Sequence, residues 1–147
     1  MLENVGISRH PRRHPQGHAY GTPETPPPYL PPEHWGDNAT YLYGIDLYNH
    51  AYWWECHEAL EGLWHLTGHR GTEAAFLQGV IQAAAANLKR HMGTLEGARR
   101  LGREAVARLD SVGEARFMGV DLPAFIGALR ALHVEETSSA VPLISLQ

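Results

Sequence analysis

The chain has 147 residues, with 12 Lys and Arg against 16 Asp and Glu, which gives a formal net charge of −4. Apolar residues make up 44% and charged residues 19% of the sequence, so it fits one globular domain, is no disordered polyelectrolyte, and is too acidic to envelop nucleic acid. No apolar stretch approaches the roughly 20 residues of a membrane span, and the N-terminus lacks the apolar segment of a secretory signal, so we expect a cytoplasmic protein without membrane contact.

Residues 1–36 contain most of the prolines and are predicted to form an extended, polyproline-like arm, because proline fixes φ and donates no backbone hydrogen bond. Tyr29, Leu30 and Trp35 are the expected apolar anchors of this arm on the domain. Recognition of the arm by a proline-binding partner is the alternative, which these anchors disfavour. The histidines of this segment are treated as incidental: His10, His14, His18 and His34.

Residues 37–133 show helical periodicity throughout, and five helices are predicted over residues 37 or 38–49, 51–66, 72–92, 94–112 and 121–133. The predicted boundaries depend on capping residues, with glycines in the left-handed conformation after the second and third helices. The predicted N-caps are Asp37 or Asn38, Thr72, Thr94 and Asp121, and the two terminating glycines are Gly68 and Gly93.

No segment shows a convincing period of two, so a sheet is not expected. Short connections between amphipathic helices predict antiparallel neighbours. The predicted fold is therefore all-α, a compact array or bundle of four to five helices over residues 37–133. The Pro-rich arm precedes it, and residues 134–147 are predicted to form an extended C-terminal tail.

The second predicted helix concentrates the polar chemistry. At 100° per residue, Glu55, Glu58 and Glu61 lie opposite its apolar face, and His57 lies at the boundary. His57 and Glu61 are four residues apart, which lets both side chains bind one divalent metal ion, with Glu58 as a general base. The HEALE sequence has glutamate where the HExxH zinc motif has its second histidine. The alternative is a histidine bonded to Glu61 on a solvated acidic face.

The third predicted helix carries Gln78 and Gln82, four residues apart and off its apolar stripe. Glutamines so placed either lie at the surface or bond across to the second helix. In the second case they would complete, with Glu55, a polar ligand pocket between the two helices. The alanine run after Gln82 favours close approach of a neighbouring helix.

Three further features have simpler interpretations. Cys56 is predicted to be a buried core thiol, and Asp46 and His50 to form an ion pair near a helix C-terminus. A shared ligand face for His65 and His69 is disfavoured, because a glycine interrupts the helix between them.

The fourth predicted helix is rich in arginine, and its simplest explanation is electrostatic matching with surface pairs Glu96–Arg100 and Glu104–Arg108. An anionic ligand, phosphate or RNA, is the alternative. Aromatic side chains are not interleaved on this face, so nucleic acid is disfavoured as a partner.

Three sequence blocks together resemble the bacterial and archaeal domain of unknown function 309 family: YNHAYWWECHEALEGLW, FLQGVIQAAAA and GTLEGARRLGREAVARL. The likeness covers about residues 41–109 and implies a compact all-helical fold. The function of that family is not established, and it has been labelled a predicted metal-dependent hydrolase. Where many relatives have histidines after the glutamine run, this chain has Leu88 and Lys89, with His91 one turn further on. The matching positions are Glu55, His57, Glu58, Leu60, Glu61, Trp64, Gln78, Gly79, Ile81, Gln82, Gly97 and Ala98.

Two function hypotheses follow from the sequence. In the first, a polar pocket binds a divalent metal or small ligand through His57 and Glu61, and metal-assisted hydrolysis with Glu58 as base is the natural reaction. In the second, the chain is a non-enzymatic structural or interaction module, a homodimer or partner-binding protein, whose polar residues form a buried hydrogen-bond network.

Overall fold

The structure is a computed structural model that describes residues 11–21 and 28–147. Residues 1–10 of the predicted arm, which include His10, and residues 22–27 lie outside the described residues. Where the arm is described, it contains two 3₁₀ turns, Pro11–Arg13 and Pro32–Asp37. The rest of the chain is predominantly helical, which confirms the predicted all-α class.

The helices agree with the predicted ones to within a few residues, apart from the last. The fifth α-helix is short and continues into a π-helical turn, Arg130–Val134. Two short strands of two residues each form an antiparallel hairpin, which the sequence did not predict because it shows no alternation. The elements in chain order are α1 Ala39–Asn49, α2 Trp53–Leu66, α3 Gly71–His91, α4 Leu95–Asp110, β1 Arg116–Phe117, β2 Val120–Asp121 and α5 Leu122–Leu129.

Several predicted caps are confirmed by hydrogen bonds or dihedral angles. Asn38 Oδ1 accepts the Tyr41 N–H at 3.0 Å, and Asp121 Oδ1 caps α5 in the same way. Gly68 and Gly93 have φ of +74° and +82°, the left-handed conformation expected after a helix end. The predicted Thr72 cap is wrong, because α3 begins one residue earlier, at Gly71.

The core forms around α3, which packs against α2 on one side and α4 on the other. The apolar residues that helical spacing places on one side of α3 are buried, except that Leu88 is half-buried; the others are Phe76, Leu77, Val80, Ile81 and Ala84. The corresponding residues of the fifth helix and its continuation are all buried: Leu122, Phe125, Ile126, Leu129 and Leu132. Helical spacing predicts that Leu95 of α4 faces inward with the other apolar residues of that helix, which is wrong, because Leu95 is 40% exposed at the first turn.

Of the three expected anchors, Trp35 packs against this core beside Gly119. Tyr29 is instead 47% exposed, and its hydroxyl donates to Glu73 Oε1 at 2.8 Å.

The N-terminal arm is fixed to α1 by a buried carboxylate. Asp46 is 1% exposed and accepts hydrogen bonds from the backbone N–H groups of His18 and Ala19. His18 Nδ1 lies 2.8 Å from the same carboxylate, and the Arg12 guanidinium lies over the Tyr43 ring. His18 is therefore an anchor and not incidental.

The predicted Asp46–His50 ion pair is corrected in the same place. His50 Nδ1 lies 2.8 Å from the backbone carbonyl of Asp46, while the Asp46 carboxylate is occupied by the arm. Within residues 11–21 and 28–147, no helix combines the length and apolar content that crossing a membrane requires.

Candidate functional site

The predicted metal ligands lie close together on α2. His57 Nε2 is 3.9 Å from Glu61 Oε2, one helical turn away. The His57 ring stacks on Trp54, with 5.2 Å between ring centroids and 6° between planes. His57 Nδ1 is buried and has no hydrogen-bond partner among the described residues. His57 is thus held at the edge of the helix by its aromatic neighbour.

The carboxylates of α2 point away from the core. Glu55 and Glu58 are exposed, and the side chain of Glu61 is 47% exposed, against 29% for His57. Trp54, on the same side of the helix, is 55% exposed. We call Trp54, Glu55, Glu58 and Glu61 the α2 outer face, with His57 at its margin.

The two glutamines of α3 do not complete a pocket with α2. Gln82 Nε2 donates to Glu104 Oε1 at 3.3 Å, and Arg108 Nε donates to Gln82 Oε1 at 3.2 Å, so this amide bonds to α4. Gln78 is half-buried and makes no hydrogen bond to a described residue. Because Gln82 lies between them, the predicted Glu104–Arg108 pair is wrong, and Glu104 pairs with Arg100 at 3.3 Å.

His65 and His69 do share a face, contrary to the expectation. His65 Nδ1 lies 2.8 Å from His69 Nε2. Two successive left-handed residues, Gly68 and His69, turn the chain back toward the helix, where the His69 ring stacks on Trp64 at 3.9 Å between centroids. The described residues nevertheless include no cluster of three or more His, Cys, Asp or Glu side chains that could hold a metal ion.

A buried polar network, which the sequence did not reveal, connects α1, α3 and the π-helical turn. Asn87 Nδ2 donates to the Tyr48 hydroxyl at 3.1 Å, and Asn87 Oδ1 lies 2.7 Å from His133 Nε2. Arg90 Nε donates to His133 Nδ1 at 3.1 Å. Since Nδ1 accepts, His133 carries its proton on Nε2 and donates it to Asn87. Each side-chain nitrogen and oxygen of Asn87 and His133 thus has a hydrogen-bond partner.

The network reaches the surface through a carboxylate. Glu136 Oε2 accepts from Arg90 Nη2 at 3.2 Å and from Arg99 Nε at 3.0 Å. The hydrogen bond from Arg99, followed by the one from Arg90, lowers the pKa of Glu136 against the effect of desolvation. A chain of hydrogen bonds therefore runs from the Tyr48 hydroxyl in the core to an exposed ion pair.

Burial controls protonation within the network and at the core thiol. Desolvation, with the nearby Arg90 charge, lowers the pKa of His133 to about 4. Desolvation raises the pKa of Tyr48 and of Cys56. Cys56 is fully buried, as predicted, and is protonated near neutral pH, which makes it a poor nucleophile.

The sequence held one signal for this network. Asn87 is a polar residue on the buried side of α3, directly after an alanine run. Such a side chain needs a buried partner. Its partner His133 is 46 residues away, however, so helical spacing gave no indication of the pair.

Residues 41–101 match a family model described as Domain of unknown function (DUF309). Over this segment the chain is similar to that family. The match confirms the resemblance seen in the sequence. Comparisons with curated proteins and with solved structures found no match. The matched segment contains the α2 outer face and four members of the network, whereas His133 and Glu136 follow it, so the network fastens this segment to the C-terminal part of the chain.

Proposed function

We propose that this chain is a non-enzymatic interaction module whose α2 outer face binds an arginine-bearing segment of a partner protein. The observation that carries the proposal is the 55% exposure of Trp54 among carboxylates. The indole stacks on the His57 ring, and more than half of the Trp54 surface stays exposed. An exposed indole with nearby acidic groups suits a guanidinium, through cation–π contact and charge attraction.

The charge distribution supports a cationic partner. Residues 37–69 contain five acidic residues and no Lys or Arg, so nothing on α2 itself neutralises the outer face. The His57–Glu61 distance of 3.9 Å is too long for a firm hydrogen bond and leaves the carboxylate available. The opposite side of α2 is buried in the core, which gives the partner a rigid surface.

The test is a titration of the full chain with an Arg-Gly repeat peptide, followed by amide and indole NMR shifts. We expect the shifts to map to the α2 outer face, and Trp54→Ala to weaken binding about two- to fivefold, the size of an exposed cation–π contact. Glu58→Gln with Glu61→Gln should weaken it further and reduce its salt dependence. Leu66→Ala is the matched control, because Leu66 is 52% exposed at the end of α2.

Two outcomes would contradict the proposal. One is equal affinity of the wild type and Trp54→Ala for the peptide. The other is a homodimer, detected by sedimentation of the free chain, that Trp54→Ala dissociates, because the outer face would then belong to a second copy.

Divalent-metal binding is the second candidate function, favoured by the proximity of His57 Nε2 and Glu61 Oε2. A hydrolytic zinc site typically has three protein ligands, and the described residues supply no such cluster. The geometry fits at most an open two-ligand site, so we derive no hydrolytic step for Glu58. Zinc that binds the wild type and not His57→Ala, with the fold intact, would favour this candidate.

A further inference from the structure

Two arginines from different helices converge on one carboxylate oxygen. Arg90 of α3 and Arg99 of α4 both donate to Glu136 Oε2, at 3.2 and 3.0 Å. Glu136 follows the π-helical turn and belongs to neither helix. The two guanidinium groups therefore form a cationic site between α3 and α4 that a residue of the tail occupies.

Arg90 is held in place independently of Glu136. Its Nε donates to His133 Nδ1, and His133 is fully buried and bonded to Asn87. Its side chain is 21% exposed, which leaves the tip of the guanidinium at the surface. The donor is thus aimed by the buried network and would keep its orientation if the carboxylate left.

Glu136 is the less firmly held partner. It has φ of +56°, a left-handed conformation that costs a non-glycine residue about 1 kcal/mol or more. Its side chain is 35% exposed, and ion pairs with such exposure contribute little to stability. Beyond it the chain forms no helix or strand and is largely exposed as far as Val141. The carboxylate is therefore a tethered occupant that a stronger anion can displace.

We propose that Arg90 and Arg99 form a binding site for a small phosphorylated ligand and that Glu136 occupies this site in the free chain. Glu136 compensates one of two guanidinium charges. A phosphate dianion compensates both, and its oxygens match the forked donors of arginine. The site is separate from the α2 outer face, so this inference does not depend on the proposed function.

The test is a titration of the full chain with inorganic phosphate at constant ionic strength, followed by NMR shifts of the arginine Nε–H groups. We expect Glu136→Gln to bind phosphate about tenfold more tightly than the wild type, because the substitution removes a tethered competitor. Arg99→Ala should abolish binding. Arg103→Ala is the matched control, since Arg103 is exposed on α4 and joins none of the described ion pairs.

Displacement of Glu136 by phosphate can be measured separately, by hydrogen exchange. The Thr137 N–H bonds to the Ala131 carbonyl at 2.9 Å, next to Glu136, and its hydrogen exchange should accelerate when phosphate binds the wild type. Equal affinity of the wild type and Glu136→Gln would overturn the inference, as would equal binding of phosphate, sulfate and chloride in every variant. Tighter binding of a single-stranded RNA than of phosphate, with a steep salt dependence, would assign the arginines to nucleic acid instead.

Discussion

His133 links protonation to folding. It is fully buried, its Nε2 lies 2.7 Å from Asn87 Oδ1, and the Arg90 charge faces its Nδ1. Desolvation and that charge lower its pKa from 6.5 to about 4, while Glu136 opposes the shift. The folded chain therefore binds fewer protons at this residue than the unfolded chain between these two pH values. Stability from the neutral imidazole is complete above the unfolded pKa and is lost as the pH falls toward the folded one.

We predict that the free energy of unfolding decreases by about 2 kcal/mol between pH 7 and pH 5 because of His133. Denaturant unfolding of the wild type and of His133→Gln measures this, and the variant should show the shallower pH dependence. NMR titration of the His133 ring protons gives the pKa directly, even if the variant folds poorly. An imidazole that titrates near its ordinary value, or equal pH dependence in both chains, would contradict the prediction.

At the scale of the elements, the network depends on close packing between α4 and the π-helical turn. A Cβ placed on Gly102 of α4 would lie 2.3 Å from His133 Cβ, a distance that real side chains do not show. The contacted atom is attached directly to the backbone and has no rotamer by which to move away. Only glycine at this position lets the turn approach α4 closely enough for His133 to reach Arg90 and Asn87.

Gly102→Ala should therefore destabilise the fold by about 1–3 kcal/mol, the usual cost of overpacking. Gly127→Ala on α5 is the matched control, because its Cβ would meet nothing within 4 Å. The control should be neutral or slightly stabilising, since alanine favours helix over glycine by about 1 kcal/mol. Thermal unfolding of both variants separates the two effects, and equal melting temperatures would show that the contact can relax.

The helices, the hairpin and the π-helical turn differ in how well the sequence predicts them. Helix existence was predictable, because apolar spacing and capping residues such as Asn38 and Asp121 are local signals. The β-hairpin was not, since its turn depends on left-handed conformations at Met118 and Gly119 within a segment too short to show alternation. The π-helical turn was not either, because no residue pattern distinguishes it from a continuing α-helix.

The candidate sites also differ in how well the sequence predicts them. His57 and Glu61 are close because spacing of four residues on a helix brings side chains together, and that was predictable. The direction of Gln82 toward α4 was not, because it depends on which neighbour each side of α3 meets. The arginine site joins α3, α4 and the segment after the π-helical turn, and no spacing along the chain encodes it.

At the scale of the whole molecule, α1 holds both ends of the described chain. On one side, the Asp46 carboxylate accepts the backbone N–H groups of His18 and Ala19. On another, Asn49 Oδ1 accepts the Ile144 N–H at 2.8 Å, and Asn49 Nδ2 donates to the Ile144 carbonyl at 2.7 Å. The asparagine thereby substitutes for a neighbouring strand, which lets the tail pack Ile144 into the core without a sheet.

We expect the anchor of the arm at Asp46 and the anchor of the tail at Asn49 to open independently of each other. Asp46→Ala leaves two N–H groups of the arm without their acceptor, and Asn49→Ala does the same to the tail, at a cost of about 1–3 kcal/mol each. Native-state hydrogen exchange should accelerate at His18 and Ala19 in the first variant and at Ile144 in the second. Each variant is the control for the other, because the anchored segments are far apart in sequence and each bonds its own side chain of α1. Faster exchange at both segments after either single substitution would contradict this prediction. It would show that the arm, the tail and α1 open together as one cooperative unit.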